Sequence, residues 1–295
     1  MSNYNIVKLN AENINGLYIL FEAVYQKKCA KHYFDLKYNT SYTGAEYIGF
    51  LAFEGEIPIA YYGVVPIIVS INNQQVLAAQ SCDTMTHPNH QKKGLFVTLA
   101  KQTFELAKKQ GIHFVFGFPN QNSYPGFIQK LDFIHAETLN RFSFQFTNTP
   151  YKLVYRKLGL IRFKKKNDAI TNSLLEEGYD GVVYSKNYIN YKKSYSQNLI
   201  VRENETSFWT NVSKGGWIGG LSPLKKELVP QLIKTIEALT NTPSITFIVS
   251  PQNQLDTALS KLVKPEPGFA VIIKNLSGTY NTGNLKFQFA DIDIF

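Results

Sequence analysis

Cysteine is scarce: Cys29 and Cys82 are the only two in 295 residues, and neither has a CxxC or Cys/His neighbour pattern. That excludes a disulfide scaffold, indicates no zinc site and predicts a reducing compartment. A basic start followed by an apolar stretch is also missing. Met-Ser-Asn-Tyr-Asn-Ile-Val-Lys is not a secretory signal, so a cytoplasmic protein is expected. No apolar run is long enough to span a bilayer comfortably. The longest, Ile57 to Ile71, contains Pro58 and Pro66, reads as two strands and gives no reason to expect a membrane partner. Only 18% of residues are charged, which excludes a coiled coil, while 44% apolar and 14% aromatic residues exclude a disordered chain and provide for a sizeable core. The length is about twice that of a usual single domain and predicts two domains or a joined tandem pair.

An excess of Lys and Arg (31) over Asp and Glu (22) gives a net charge of +9 and favours anionic ligands. The sharpest cluster is Arg156, Lys157, Arg162, Lys164, Lys165 and Lys166. No aromatic-basic interleaving or helix-turn-helix pattern accompanies it, so it reads as a solvated linker and argues against a nucleic-acid partner.

Along the chain, Tyr4 to Leu9 alternates as a strand, and Ile14, Leu17, Tyr18, Leu20, Phe21, Val24 and Tyr25 follow at helical spacing. Tyr47 to Phe53, Ile57 to Ile71 and Gln75 to Thr86 form an antiparallel run, turned at Glu54-Gly55-Glu56 and Asn72-Asn73. A loop from His87 to Gly94 leads into a helix from Leu95 to Gln110, closed by Gly111, and an apolar strand from Ile112 to Phe118. That unit implies parallel pairing by a crossover. A short helix from Asn122 to Leu131 and closing strands from Phe133 to Phe146 complete the first half. The last third repeats the order: helix Lys225 to Leu239, strand Ser244 to Val249, helix Gln252 to Leu262 and strand Phe269 to Ile273. The offset is nearly constant at about 131 to 133 positions, consistent with a decayed internal duplication or with the frequent recurrence of β-α-β-α-β order.

The chemically informative stretch is Thr86-His87-Pro88-Asn89-His90-Gln91-Lys92-Lys93-Gly94-Leu95-Phe96. A loop leaving a strand and entering a helix presents unpaired N–H groups at the positive end of the helix dipole, and Gly94 permits close approach of a ligand. Lys92 and Lys93 add positive charge at the lip of this phosphate cradle. His87 and His90 lack a second ligand pair at metal spacing, so no metal is expected. Gly215-Gly216-Trp217-Ile218-Gly219-Gly220 is not followed by Lys-Ser/Thr, and its Trp-Ile centre suits a strand with bulges better than a phosphate loop.

Pro88 followed by Gln91-x-x-Gly94-x-Phe96, set within the β-α-β-β-β-loop-α-β-α-β order of residues 1 to 146, resembles the GNAT superfamily of acetyl-CoA-dependent N-acyltransferases. Phe96 departs from the Gly/Ala usual at the loop's last position. The resemblance implies an α/β fold with a mixed sheet. It implies acetyl-CoA as cosubstrate, with its pyrophosphate held by the backbone amides of Gln91, Lys92, Lys93, Gly94, Leu95 and Phe96. Met85 and Thr86 would bond the pantetheine arm, and Asn120 or Asn122 would contact it nearby. It also implies direct attack by an amine, with no covalent enzyme intermediate.

For the acid, aligning Lys130-Leu131-Asp132-Phe133 with the family's closing motif places Ile128 where a Tyr usually stands. Tyr124, one turn earlier, is the substitute, or else an ordinary packing residue. Asp83 is the candidate base, or else a loop cap; alternation puts it on one strand face with Met85, opposite Cys82 and Thr84. Cys82 has no His partner and reads as a buried apolar residue rather than a nucleophile.

The expected organisation is a GNAT-like domain over 1–148, a basic connecting segment over 149–198, and a GNAT-like second copy without a phosphate loop over 199–295. The expected activity is acyl transfer from coenzyme A to an amine of a small molecule or peptide. An acyl-CoA-binding sensor or scaffold is the alternative, and the intact cradle argues against a tandem transferase that uses aminoacyl-tRNA.

Overall fold

A computed structural model describes residues 4–146, 166–167, 169–203, 205–211, 216–240 and 243–295. All of the basic cluster except Lys166, and much of the segment 149–198, lie outside the described residues. Two compact units form, and both are discontinuous in sequence, unlike the contiguous segments 1–148, 149–198 and 199–295. The first takes Met1–Val69, Gln74–Ala136 and Val271–Asn281; the second takes Ser70–Asn73, Glu137–Ala270 and Thr282–Phe295.

In the first unit β1 (Asn5–Lys8), α1 (Asn15–Tyr25) and α2 (Tyr33–Tyr38) precede β2 (Ile48–Glu54), β3 (Ile57–Ile71) and β4 (Gln74–Thr86). Then come α3 (Leu95–Lys109), β5 (Phe114–Gly117) and α4 (Tyr124–Leu131). The strands lie in the order β1-β2-β3-β4-β5, and residues 272–275 of the later strand Glu266–Asn275 pair antiparallel with β5. β4 and β5 are parallel across the α3 crossover. Asn72 and Asn73 both adopt positive φ, 48° and 62°, which suits a tight hairpin turn.

The run Ile57 to Ile71, expected as two strands, is one continuous strand. Its prolines do not break it for local reasons. Pro58 sits at the second position beside a register shift between Ala52 and Phe53, and β2 pairs only as far as Val64, so Pro66 lies beyond that ladder.

Helix α3 buries Leu95, Leu99, Ala100, Thr103, Phe104 and Ala107, one face at helical spacing, against β2 and β4. Leu99, Phe104, Phe127, Val115 and Ile272 belong to one apolar cluster that fixes α3, α4 and the sheet together. Each such side chain contributes about 2 kcal/mol of burial, enough to hold the loop before α3 in a set place.

The second unit contains β6 (Ile134–Gln145, of which residues 140–145 pair here), β7 (Lys166–Asn167), α5 (Ser173–Glu176), β8 (Gly181–Val182) and α6 (Lys186–Tyr195). These lead to β9 (Asn198–Glu203), β10 (Thr206–Asn211), β11 (Trp217–Ser222), α7 (Val229–Thr240), β12 (Ser244–Val249), α8 (Gln254–Ser260) and β13 (Glu266–Asn275). β11 and β12 are parallel across α7, and β6 lies antiparallel against β12. The connection β4-α3-β5 thus recurs as β11-α7-β12. α7 begins at Val229, after a 3-10 turn over Lys226–Leu228, because Pro230 suits a first helical turn. α8 begins at Gln254 because Asn253 is its N-cap, accepting from Asp256 N–H at 2.9 Å.

Most of the glycine-rich run is strand β11. A Cβ on Gly219 would lie 2.5 Å from the Phe295 ring and one on Gly220 2.7 Å from Gln288 Oε1, so packing explains both glycines. Gly215 lies outside the described residues.

Candidate active site

The β4–β5 pairs are Ala79↔Val115, Gln80↔Phe116 and Ser81↔Gly117, whereas β4 itself continues to Thr86. The two parallel strands therefore part beyond Ser81. Pro88–His90 forms a 3-10 turn in which His87 Nδ1 accepts from Asn89 N–H at 3.3 Å. His90 sits 3.4 Å from the Tyr4 hydroxyl through Nδ1 and 3.7 Å from Glu54 through Nε2.

Two left-handed residues, Lys92 (φ 60°) and Gly94 (φ 80°), then turn the chain into α3. The first helical bond joins Thr98 N–H to Gly94 C=O at 3.1 Å. The N–H groups of Leu95, Phe96 and Val97 precede that ladder and point out of the positive helix end. A Cβ built on Gly94 meets no heavy atom within 4 Å, so the backbone here is open to a ligand.

A cavity of about 450 Å³ lies over this loop. From β4 it is lined by Thr84, Met85 and Thr86; from the loop and α3 by His90, Gln91, Lys92, Gly94, Leu95, Phe96 and Val97. The turn into α4 supplies Asn120, Asn122 and Ser123, and α4 supplies Gly126 and Lys130. The donors fit a pyrophosphate: N–H groups at a helix start, lysine charge and room at the glycine. Every predicted cofactor-binding residue except Lys93 lines this cavity, while Lys93 is exposed outside it. Asn120 has a second task, since its Oδ1 accepts from the N–H groups of Asn122 and Ser123 at 2.9 and 3.0 Å.

Asp83 and Tyr124 do not line the cavity. Asp83 Oδ2 lies 2.7 Å from the Lys37 ammonium, whose side chain is fully buried, and accepts from the Tyr38 hydroxyl at 2.9 Å. Burial, then the Asp83 charge, pushes the Tyr38 phenol well above its ordinary pKa, which keeps it a donor. The expected alternation fails here: Asp83 has φ 49°, and both Asp83 and Cys82 reach the Tyr38 hydroxyl, Cys82 Sγ at 3.7 Å. A left-handed residue within the strand interrupts the two-residue period that alternation assumes.

Tyr61 also faces Tyr38, edge-on with ring centroids 5.6 Å apart. Its phenol occupies the room left by Gly49 and Gly63, paired across β2 and β3; a Cβ there would stand 2.6 and 1.9 Å from Tyr61 Oη. Tyr124 places its hydroxyl 3.2 Å from His135 Nδ1, at the start of β6.

The residues that sequence reasoning missed are Val24, Thr84, His90, Val97, Ser123, Gly126 and Lys130 around the cavity, and Lys37 beside Asp83. Ser123, Gly126 and Lys130 had a readable signal, because their spacing puts them on one stripe of α4. Lys37 had none, since nothing local marks a lysine in a six-residue helix as buried.

Residues 5–136 match the family model described as an acetyltransferase (GNAT) domain. This stretch of the chain is a GNAT domain, and the fold extends the likeness to solved acyltransferases. A GCN5-related N-acetyltransferase from Kribbella flavida superposes with a TM-score of 0.63 at 12% identity, over 93% of this chain and 71% of that one. Saccharomyces cerevisiae N-myristoyltransferase with bound myristoyl-CoA gives 0.56 at 12% identity, over 93% and 79%. Eis1 from Mycobacterium abscessus gives 0.56 at 10%, over 93% and 74%. No curated protein matches the sequence. No helix among the described residues is long and apolar enough to cross a membrane.

Proposed function

We propose that the protein transfers an acetyl or similar short acyl group from coenzyme A to an amine. One observation carries the reading: a single cavity over the start of α3 gathers the helix N–H groups, Gly94, Lys92 and the parted end of β4. The helix start would hold the pyrophosphate. Met85 and Thr86 would hold the pantetheine arm, which brings the thioester towards the gap between β4 and β5. The myristoyl-CoA bound by the yeast neighbour supports an acyl-CoA ligand for this fold.

In the transfer the amine nitrogen attacks the thioester carbonyl, the C–S bond breaks, the amine loses a proton, and the departing thiolate gains one. Asp83, 2.7 Å from the Lys37 ammonium, is the proposed acceptor of the amine proton, directly or through water. The Tyr124 hydroxyl, bonded to His135, is the proposed donor to the thiolate. The second unit is proposed as a copy of the fold that lost its phosphate loop. Pro223 and Leu224 stand in its loop before α7, and among the described residues no glycine opens that loop.

A non-catalytic acyl-CoA sensor is the second reading, favoured by Ile128 at the usual tyrosine position and by a Tyr124 that does not line the cavity. Incubation with acetyl-CoA and a panel of amines, following free thiol and product mass, separates them. Acylated amine supports the enzyme; binding without thiol release beyond the protein-free rate supports the sensor.

A further inference from the structure

Lys130 occupies the last turn of α4 and closes the stripe Ser123, Gly126, Lys130 that this helix presents to the cavity. Lys130 follows Ser123 by seven positions, about 10 Å of rise along α4, so the two stand at opposite ends of the stripe. It is exposed, and among the described residues it makes no ion pair. Its nearest acidic neighbour in sequence, Asp132, is held by Lys274 at 3.6 Å instead. Of the other basic groups on the cavity wall, His90 is engaged by Tyr4 and Glu54, and Lys92 belongs to the loop over α3.

Coenzyme A carries a pyrophosphate and a separate phosphate monoester on its ribose 3′ carbon, the latter bearing close to two charges at neutral pH. The helix start and Lys92 answer the pyrophosphate, and β4 answers the pantetheine arm. The 3′-phosphate lies on the other side of the pyrophosphate from that arm, and Lys130 is the remaining basic group on the cavity wall. Resting on the acyl-CoA reading above, we propose that Lys130 binds the 3′-phosphate of coenzyme A and makes the cavity selective for the 3′-phosphorylated cofactor.

Calorimetric titration of the full chain with coenzyme A and with 3′-dephospho-coenzyme A tests this in the wild type, Lys130→Gln and Lys130→Arg. The expected result is a wild type that prefers coenzyme A, a Lys130→Gln variant about tenfold weaker towards it, as for a charge-assisted contact, and unchanged binding of the dephospho compound. Lys130→Arg should retain the preference. Equal weakening towards both ligands, or none towards either, overturns the assignment while leaving the acyl-CoA reading standing. A wild type that binds neither ligand overturns that reading and this inference with it.

Discussion

Phe96 and Gly126 are complementary: a Cβ on Gly126 would lie 3.0 Å from Phe96 Cε1. Phe96 is wedged edge-on against Phe127 and Tyr62, with centroids 5.3 and 5.9 Å away, so it has little freedom to yield. The bulky residue at the end of the loop is therefore seated by the missing side chain on α4, which explains how this chain departs from the family's small residue there. Gly126→Ala should destabilise the protein despite the gain of up to about 1 kcal/mol in helix propensity. In a Phe96→Ala background the same change should stabilise. A double-mutant cycle in urea measures the coupling, and additive effects would remove the pairing.

Lys37 is fully buried and its charge is matched by Asp83. Lys37→Met leaves that carboxylate with the Tyr38 hydroxyl but no cation, which should lower stability by about 3 kcal/mol, read as the urea midpoint by circular dichroism. Adding Asp83→Leu should recover much of the loss. If the double variant is as unstable as the single one, the ion pair is not what the lysine contributes.

Asp83→Asn and Tyr124→Phe should each lower turnover by about ten- to ten-thousand-fold with little change in acetyl-CoA affinity. Stopped-time thiol assays with an accepted amine read this directly. Unchanged turnover in either variant removes that residue from proton transfer.

In the second unit the Asp291 carboxyl is fully buried, and desolvation raises its pKa from 3.8 to about 7 against the opposing bonds from Gln288 N–H and the Tyr184 hydroxyl. The folded state holds this proton more tightly than the unfolded chain does. The group's contribution is therefore complete below about pH 4 and lost as pH rises towards 7, at up to about 1.4 kcal/mol per pH unit. Both tryptophans, Trp209 and Trp217, lie in this unit, so their fluorescence reports its unfolding. Asp291→Asn should lack this slope; a slope equal to wild type assigns it elsewhere.

Much of the stretch from β1 to α4 was legible from local pattern. The turn at Asn72-Asn73, the loop before Leu95 and the helix ending at Gly111 are all set by residues within a few positions of each other. The continuity of β3 was not, because proline tolerance depends on where the neighbouring ladder ends. Nor was the pairing of β5 with residues 272–275, or of β12 with residues 140–145, since periodicity names strands but not their distant partners. At the site, the backbone geometry of the loop was readable because it follows from Gly94 and the helix start. The environment of Asp83 was not, because its left-handed backbone and the buried Lys37 come from tertiary packing.

The central claim is that one acyl-CoA binds per chain on the backbone at Gly94. Titration calorimetry of acetyl-CoA into the wild type should give a stoichiometry of one and a dissociation constant at about the micromolar level, near −8 kcal/mol. In a folded Gly94→Val variant most of that binding should disappear, because a branched side chain is strained at φ 80° and enters the open space proposed for the phosphate. A stoichiometry of two, no binding by the wild type, or equal affinity in folded Gly94→Val would contradict the account.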